Sequence, residues 1–130
     1  MSLDNSFEIL FNSTEDYILI INESGKIMRG NEQILRRLGF SHEDIKDNDV
    51  STLFPPEKRS DAAELMEQIR NESINAFNMP FCTRQAEPVA VVSRVIKGDW
   101  GGEPAYYFLI KEIAKIGKVS DIIKISELEQ

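Results

Sequence analysis

The chain reads as an α+β domain: a five-stranded antiparallel sheet with short helices on one face, one longer helix, and an N-terminal helix. Three observations predict it. Strand-like segments fall into two groups on either side of a helical block, and each group can pair by hairpins. The apolar period is 3.6 residues through residues 57–70 and changes to 2 beyond Ser73. Two stretches, Tyr17–Asn22 and Ala105–Ile110, are apolar at nearly every position, so both of their faces are covered. They belong side by side in the middle of the sheet, which leaves the other strands at or near its edges.

Ser6 is placed to cap a first short helix with Phe7, Leu10 and Phe11 on one face. Asn12–Glu15 breaks that pattern, and the strand Tyr17–Asn22 follows. Gly25 in the turn Glu23-Ser24-Gly25 supplies the positive φ a tight hairpin often needs, and Lys26–Arg29 returns as a short strand. Asn31 caps a helix over Glu32–Leu38, with Ile34, Leu35 and Leu38 inward. Gly39 ends it, and Phe40 folds back on Leu35. Ser41-His42-Glu43-Asp44 resembles a capping box, and Asp49 caps one more turn presenting Val50, Leu53 and Phe54.

Pro55-Pro56 stops that turn and starts the helix of residues 57–70, where Ala62, Leu65, Met66 and Ile69 share a face. Phe77, Met79 and Phe81 then alternate with Asn78, Pro80 and Cys82. Pro80 donates no ladder hydrogen bond, so this is an edge strand. Val89–Ile96 is β-branched and reads as an inner strand. Lys97–Glu103 holds three glycines and reads as a loop before Ala105–Ile110. In the tail, residues 114–130, Val119, Ile122 and Ile123 share a face and Gly117 interrupts it.

A length of 130 residues implies one domain, and 42% apolar with 28% charged residues implies a soluble globular core. The net charge of −7, with no basic cluster longer than Arg36-Arg37 or Lys58-Arg59, argues against nucleic acid and against direct contact with anionic membranes. One cysteine, Cys82, excludes an internal disulfide. No apolar run approaches the ~20 residues of a membrane span, and the N-terminus lacks a signal-peptide pattern, so a cytoplasmic location is expected. Residues 1–5 read as a cloning remnant or flexible lead, 6–114 as the domain, and 115–130 as an exit linker or partial helix towards a missing output domain.

The order of elements from Phe7 to Ala114 resembles the PAS domain family. Tyr17–Gly25, Lys26–Gly30 and Asn31 look like that family's opening hairpin and the asparagine that starts its next helix. Leu38-Gly39-Phe40-Ser41 with Glu43-Asp44-Ile45 looks like its "LGYS.EEL" stretch. Ile110–Ala114 sits where the family ends in an Asp-Ile-Thr motif, with Glu112 in place of the aspartate and Ala114 in place of the hydroxyl residue. The resemblance implies a sensor or signal-transduction module that binds a small ligand or relays a conformational change. The output would be a covalently linked domain such as a histidine kinase or diguanylate cyclase, with signal exit through Glu112, Ile113 and Ala114. The alternative is a ligand-free homodimerisation and protein-interaction module.

No catalytic set emerges, so an enzyme is not expected. The chain has one histidine, His42, at a helix start, which suits neither a triad nor a multi-ligand metal site. No cofactor is predicted. The resemblance disfavours photoactive flavin, because residues 31–59 hold no cysteine, and haem, because residues 57–70 hold no histidine. An unidentified small apolar ligand is the remaining option. Its pocket would be lined by Leu65, Met66 and Ile69 from the long helix, Phe77 and Met79 from the edge strand, and Val91, Ser93 and Val95 from the next. Ser93 is the one polar residue on that row. Either it anchors a ligand, or it bonds to nearby backbone inside a filled core. Trp100 either anchors a partner or folds back over the sheet edge. Outward residues of the central strands leave an apolar patch, which Phe7, Leu10 and Phe11 would cover in this chain or in a second copy, making a homodimer the expected assembly.

Overall fold

The apolar run Tyr17–Asn22 forms β1 and is paired on both edges, as its sequence requires. The computed structural model describes residues 3–113, with side chains from Ser6. The expectations for Ala114 and for the exit linker fall outside the described residues, as do Met1 and Ser2. In chain order the elements are α1 (Leu3–Ser13), β1, β2 (Ile27–Gly30), α2 (Glu32–Leu38) and α3 (His42–Ile45). Two 3-10 turns, Val50–Leu53 and Pro56–Asp61, lead into α4 (Ala62–Arg70). Then come β3 (Ala76–Phe77), β4 (Phe81–Cys82), β5 (Pro88–Val89), β6 (Val91–Trp100) and β7 (Glu103–Glu112).

The main sheet has the order β2-β1-β7-β6-β3 with antiparallel neighbours, so the two densely apolar strands lie together at its centre. Its inner face presents Leu19, Ile21, Phe108 and Ile110 to Ile34, Leu65, Met66 and Ile69 of the helices. On the outer face, α1 lays Phe11 over Ile20 and Ala105. Burying Phe11 to 3% exposure stabilises this arrangement by about 2 kcal/mol. Phe7 stacks on Phe11 with ring centroids 5.0 Å apart and meets Trp100 at 5.5 Å. Trp100 thus folds onto its own sheet.

The local signals act where they were read. Asn31 caps α2 through its side chain. Gly39 adopts φ +83°, and the Gly39 and Phe40 N–H groups both donate to the Leu35 carbonyl, closing the helix. Ser41 and Asp44 form a reciprocal capping box, and Asp49 caps the Val50 turn.

Several boundaries differ from the sequence reading. The first helix starts at Leu3, so Ser6 lies within it and is not its cap. Phe7, Leu10 and Phe11 do not share a covered face: Leu10 is 71% exposed, because a helix one side of which faces the sheet turns that residue away. The second strand is Ile27–Gly30, since Lys26 is held in a bridge to Asp49.

The long helix is a 3-10 turn followed by α4, because Pro56–Asp61 has no apolar side chain to bury. Pro80 splits the expected edge strand: Phe77 pairs with β6, and Phe81–Cys82 forms a separate ladder with Pro88–Val89. Hence Phe81 and Cys82 are both buried, without alternation. Lys97–Glu103 is not a loop. β6 and β7 run on to a two-residue turn at Gly101 (φ +61°) and Gly102 (φ +82°), a backbone that glycine adopts without strain.

Two outcomes follow. Asn31→Ala should cost about 3 kcal/mol in urea unfolding, the sum of a lost cap and stranded buried polar groups. A loss below about 1 kcal/mol would show those groups finding other partners. Asp44 is held below the ordinary aspartate range, first by the Ser41 backbone N–H and then by its side chain. The folded value is the lower one, so its stabilisation is complete above the unfolded value and fades as pH falls through the folded value. Acid titration of the urea midpoint should show this fading, and Asp44→Asn should flatten that part of the curve.

Candidate functional site

The row predicted to line a pocket is assembled from α4, β3 and β6. Leu65, Met66 and Ile69 are buried under α4, and Val91 and Ser93 are buried on the inner face of β6. Phe77, Met79 and Val95 are half-buried against the same core. Leu65, Phe77 and Met79 also line an open cleft of about 510 Å³ between α4 and the β3 edge, rimmed by Lys58, Glu64 and Gln68. Phe77 stands at the boundary between cleft and core. It pairs in register with Ser93 and packs edge-on to Phe108, centroids 5.2 Å apart.

Ser93 carries the chemically unusual feature. The residue is 0% exposed, and its hydroxyl has no hydrogen-bond partner among the described residues. A buried hydroxyl left unpaired costs roughly 1–3 kcal/mol. Of the two sequence-level readings of Ser93, bonding to nearby backbone is not what the geometry shows.

The predicted exit is tied down firmly. Glu112, 9% exposed, accepts the Tyr17 hydroxyl at 2.9 Å. Arg37 donates to it through Nη2 at 2.7 Å and Nε at 3.1 Å. Paired this way, the Arg37 guanidinium is raised above its ordinary value by its hydrogen bond to Glu112. Ile113 follows, its N–H donating to the Ala90 carbonyl at 2.9 Å. Arg37 and Tyr17 are functional candidates that sequence reasoning missed. The available signal was a tyrosine opening an apolar strand, since a buried phenol needs a partner.

The remaining candidates are dispersed. Cys82 is buried in β4, in the two-stranded ladder with β5 and outside the main sheet. His42 opens α3 beside a second open cleft bordered by Glu8, Arg29 and Glu32. Glu8 and Arg29 form an ion pair there, and the Glu8 carboxyl is held below its usual range chiefly by that hydrogen bond. Among the described residues no group of three or more His, Cys, Asp or Glu is placed to hold a metal ion.

Comparison with known proteins bears on this arrangement. Residues 15–114 match the family model described as PAS domain. A methyl sulfide methyltransferase-associated sensor of Methanosarcina acetivorans is 26% identical over 131 residues, covering 97% of this chain and 13% of that protein. The chain therefore spans only a small part of that relative. Among solved structures, the PAS domain of a Desulfitobacterium hafniense protein aligns with a TM-score of 0.74 at 22% identity, covering 84% of this chain and 99% of that one. The RpfR quorum-sensing receptor PAS domain of Cronobacter turicensis, in complex with BDSF, aligns at 0.62 with 19% identity, covering 78% and 97%.

Removing the unpaired hydroxyl is the direct check on the site. Ser93→Ala should leave the stability of the empty protein unchanged or raise it slightly, whereas a paired buried serine would lose about 1 kcal/mol. Thermal and urea unfolding of the two proteins decide it.

Proposed function

The chain belongs to the PAS domain family, and from that premise we propose that it is the sensory, non-enzymatic module of a larger cytoplasmic signal-transduction protein. Its stimulus is a small, largely apolar ligand with one hydrogen-bonding group. The observation that carries this reading is the unpaired, fully buried Ser93 hydroxyl next to Phe77. An apolar wall with one polar group inside it is the composition of a small-molecule site. The ligand approaches through the cleft between α4 and β3 and displaces Phe77 and Met79, the half-buried side chains there. The sensor relative and the receptor neighbour solved with BDSF support a ligand-responsive role.

The relay is conformational. A ligand shifts the domain only as far as its affinities for two states differ. Phe77 touches Phe108 on β7, and β7 ends at Glu112 and Ile113, so repacking at Phe77 is passed along the strand that leaves the domain. An output domain such as a histidine kinase or diguanylate cyclase would receive it through Ala114 and the chain beyond.

Solvent extraction of purified protein followed by mass spectrometry tests the proposal. The expected result is a small molecule near one per chain, with at least about tenfold less retained by Ser93→Ala that is equally well folded. Protein that is empty and that shows no thermal shift with candidate apolar ligands would overturn it.

A second reading rests on exposed apolar side chains. Ile9 and Leu10 on α1 are 59% and 71% exposed, and Val92 and Ile96 stand outward on β6. This surface suits homodimerisation, with or without a ligand. Phe7 and Phe11 are committed to their own sheet, so Leu10 is the side chain to change. Leu10→Asp should shift the sedimentation profile towards monomer, and an unchanged profile would count against this face.

A further inference from the structure

The two ends of the domain are fastened to opposite ends of one short helix. At its N-terminal end α2 meets the last turn of α1. Asn31 Nδ2 donates to the Phe11 carbonyl at 3.1 Å, and Gln33 Nε2 donates to the Asn12 carbonyl at 2.6 Å. In return, the Glu32 N–H donates to the Asn12 side-chain oxygen at 3.0 Å. Each helix thus satisfies terminal groups that the other leaves unpaired. At the C-terminal end, Arg37 grips Glu112 through both Nε and Nη2.

The helix between is seven residues, about 10 Å long, too short to absorb a displacement by bending. It is also seated: Ile34 and Leu38 are buried, and the Leu38 carbonyl accepts the Arg84 N–H. A bidentate guanidinium–carboxylate contact transmits direction as well as charge. Neither fastening involves Ser93, Phe77 or the α4 cleft.

We propose that α2 is a coupling bar between the N-terminal helix and the exit strand. It carries displacement of α1 to Glu112, and of Glu112 to α1, without an occupant on the inner face of the sheet. The domain then has a second input besides the pocket: whatever pulls or packs on α1, whether a preceding segment or a second copy, changes the position of the exit. By thermodynamic linkage the coupling runs both ways with equal strength.

Hydrogen exchange on the full chain with no added ligand tests this, and so stands or falls apart from the pocket. Arg37→Ala should speed exchange at residues 110–113 and also at residues 10–13 by about fivefold or more. Asn12→Ala should do the converse, speeding residues 110–113 as well as its own helix. Arg70→Ala, which breaks an exposed ion pair to Glu67 on α4, should leave both regions unchanged.

Residues 12 and 37 share no bonding partner, so independent effects would simply multiply. The expected result is that the double variant exceeds either single one by less than about twofold. Substitutions that each act only at their own end of α2, effects that multiply, or an increase spread evenly through Leu19–Ile21 would overturn the proposal. If Arg37→Ala does not fold, Arg37→Lys keeps the charge without the planar fork and is read the same way.

Discussion

One buried amide organises the first half of this domain. Asn31 is 0% exposed, and both ends of its side chain are fully used. The oxygen accepts the Ile18 and Ile34 N–H groups, and the nitrogen donates to the Phe11 and Asp16 carbonyls, all at 3.1 Å. A single side chain therefore closes β1 against the end of α1 and starts α2 in a defined direction. No other residue type supplies two acceptor sites and two donors at that reach except glutamine, whose extra carbon would move them. The orientation of α2 follows, and so does the placement of Arg37 against Glu112.

The sheet is the second constraint. Its central strands are covered on both faces, by the short helices inside and by α1 outside. That explains why β1 lacks the polar alternation of a half-exposed strand. It also explains why the flanking strand β6 alternates. Val91 and Ser93 are buried, while Val92 and Ile96 remain exposed beyond the reach of α1. Ser93, a hydroxyl in an apolar layer, is a side chain in conflict with its surroundings. Conflict between a residue and its local environment is expected at functional positions.

Much of the fold was legible in sequence. The cap at Asn31, the ending at Gly39, the capping box at Ser41 and the buried face of α4 were read correctly because each depends on residues within one or two turns. Burial of Leu65, Met66 and Ile69 is legible from helical spacing, and burial of Val91 and Ser93 from strand parity. Lengths were less so. The three glycines near residue 100 signal a loop, yet Gly98 lies within β6 and only Gly101 and Gly102 make the turn, because cross-strand pairing with Glu103–Tyr106 holds Lys97–Trp100 extended. Likewise Pro80 marks a sheet edge in sequence, whereas its division of two ladders depends on where Pro88–Val89 returns.

The sequence by itself therefore determined the order of elements, the central pairing of β1 with the last strand, and the family, since these follow from short-range periodicity and turn chemistry. Only the tertiary structure decided which groups meet. Tyr17 and Arg37 reach Glu112 across separations of 95 and 75 residues, and no local pattern encodes such contacts. It also decided that Phe11 is buried and Leu10 exposed, and that the Ser93 hydroxyl has no partner among the described residues. Satisfaction of a buried polar group is a property of everything packed around it. Strand parity tells which way a side chain points, but not what is waiting there.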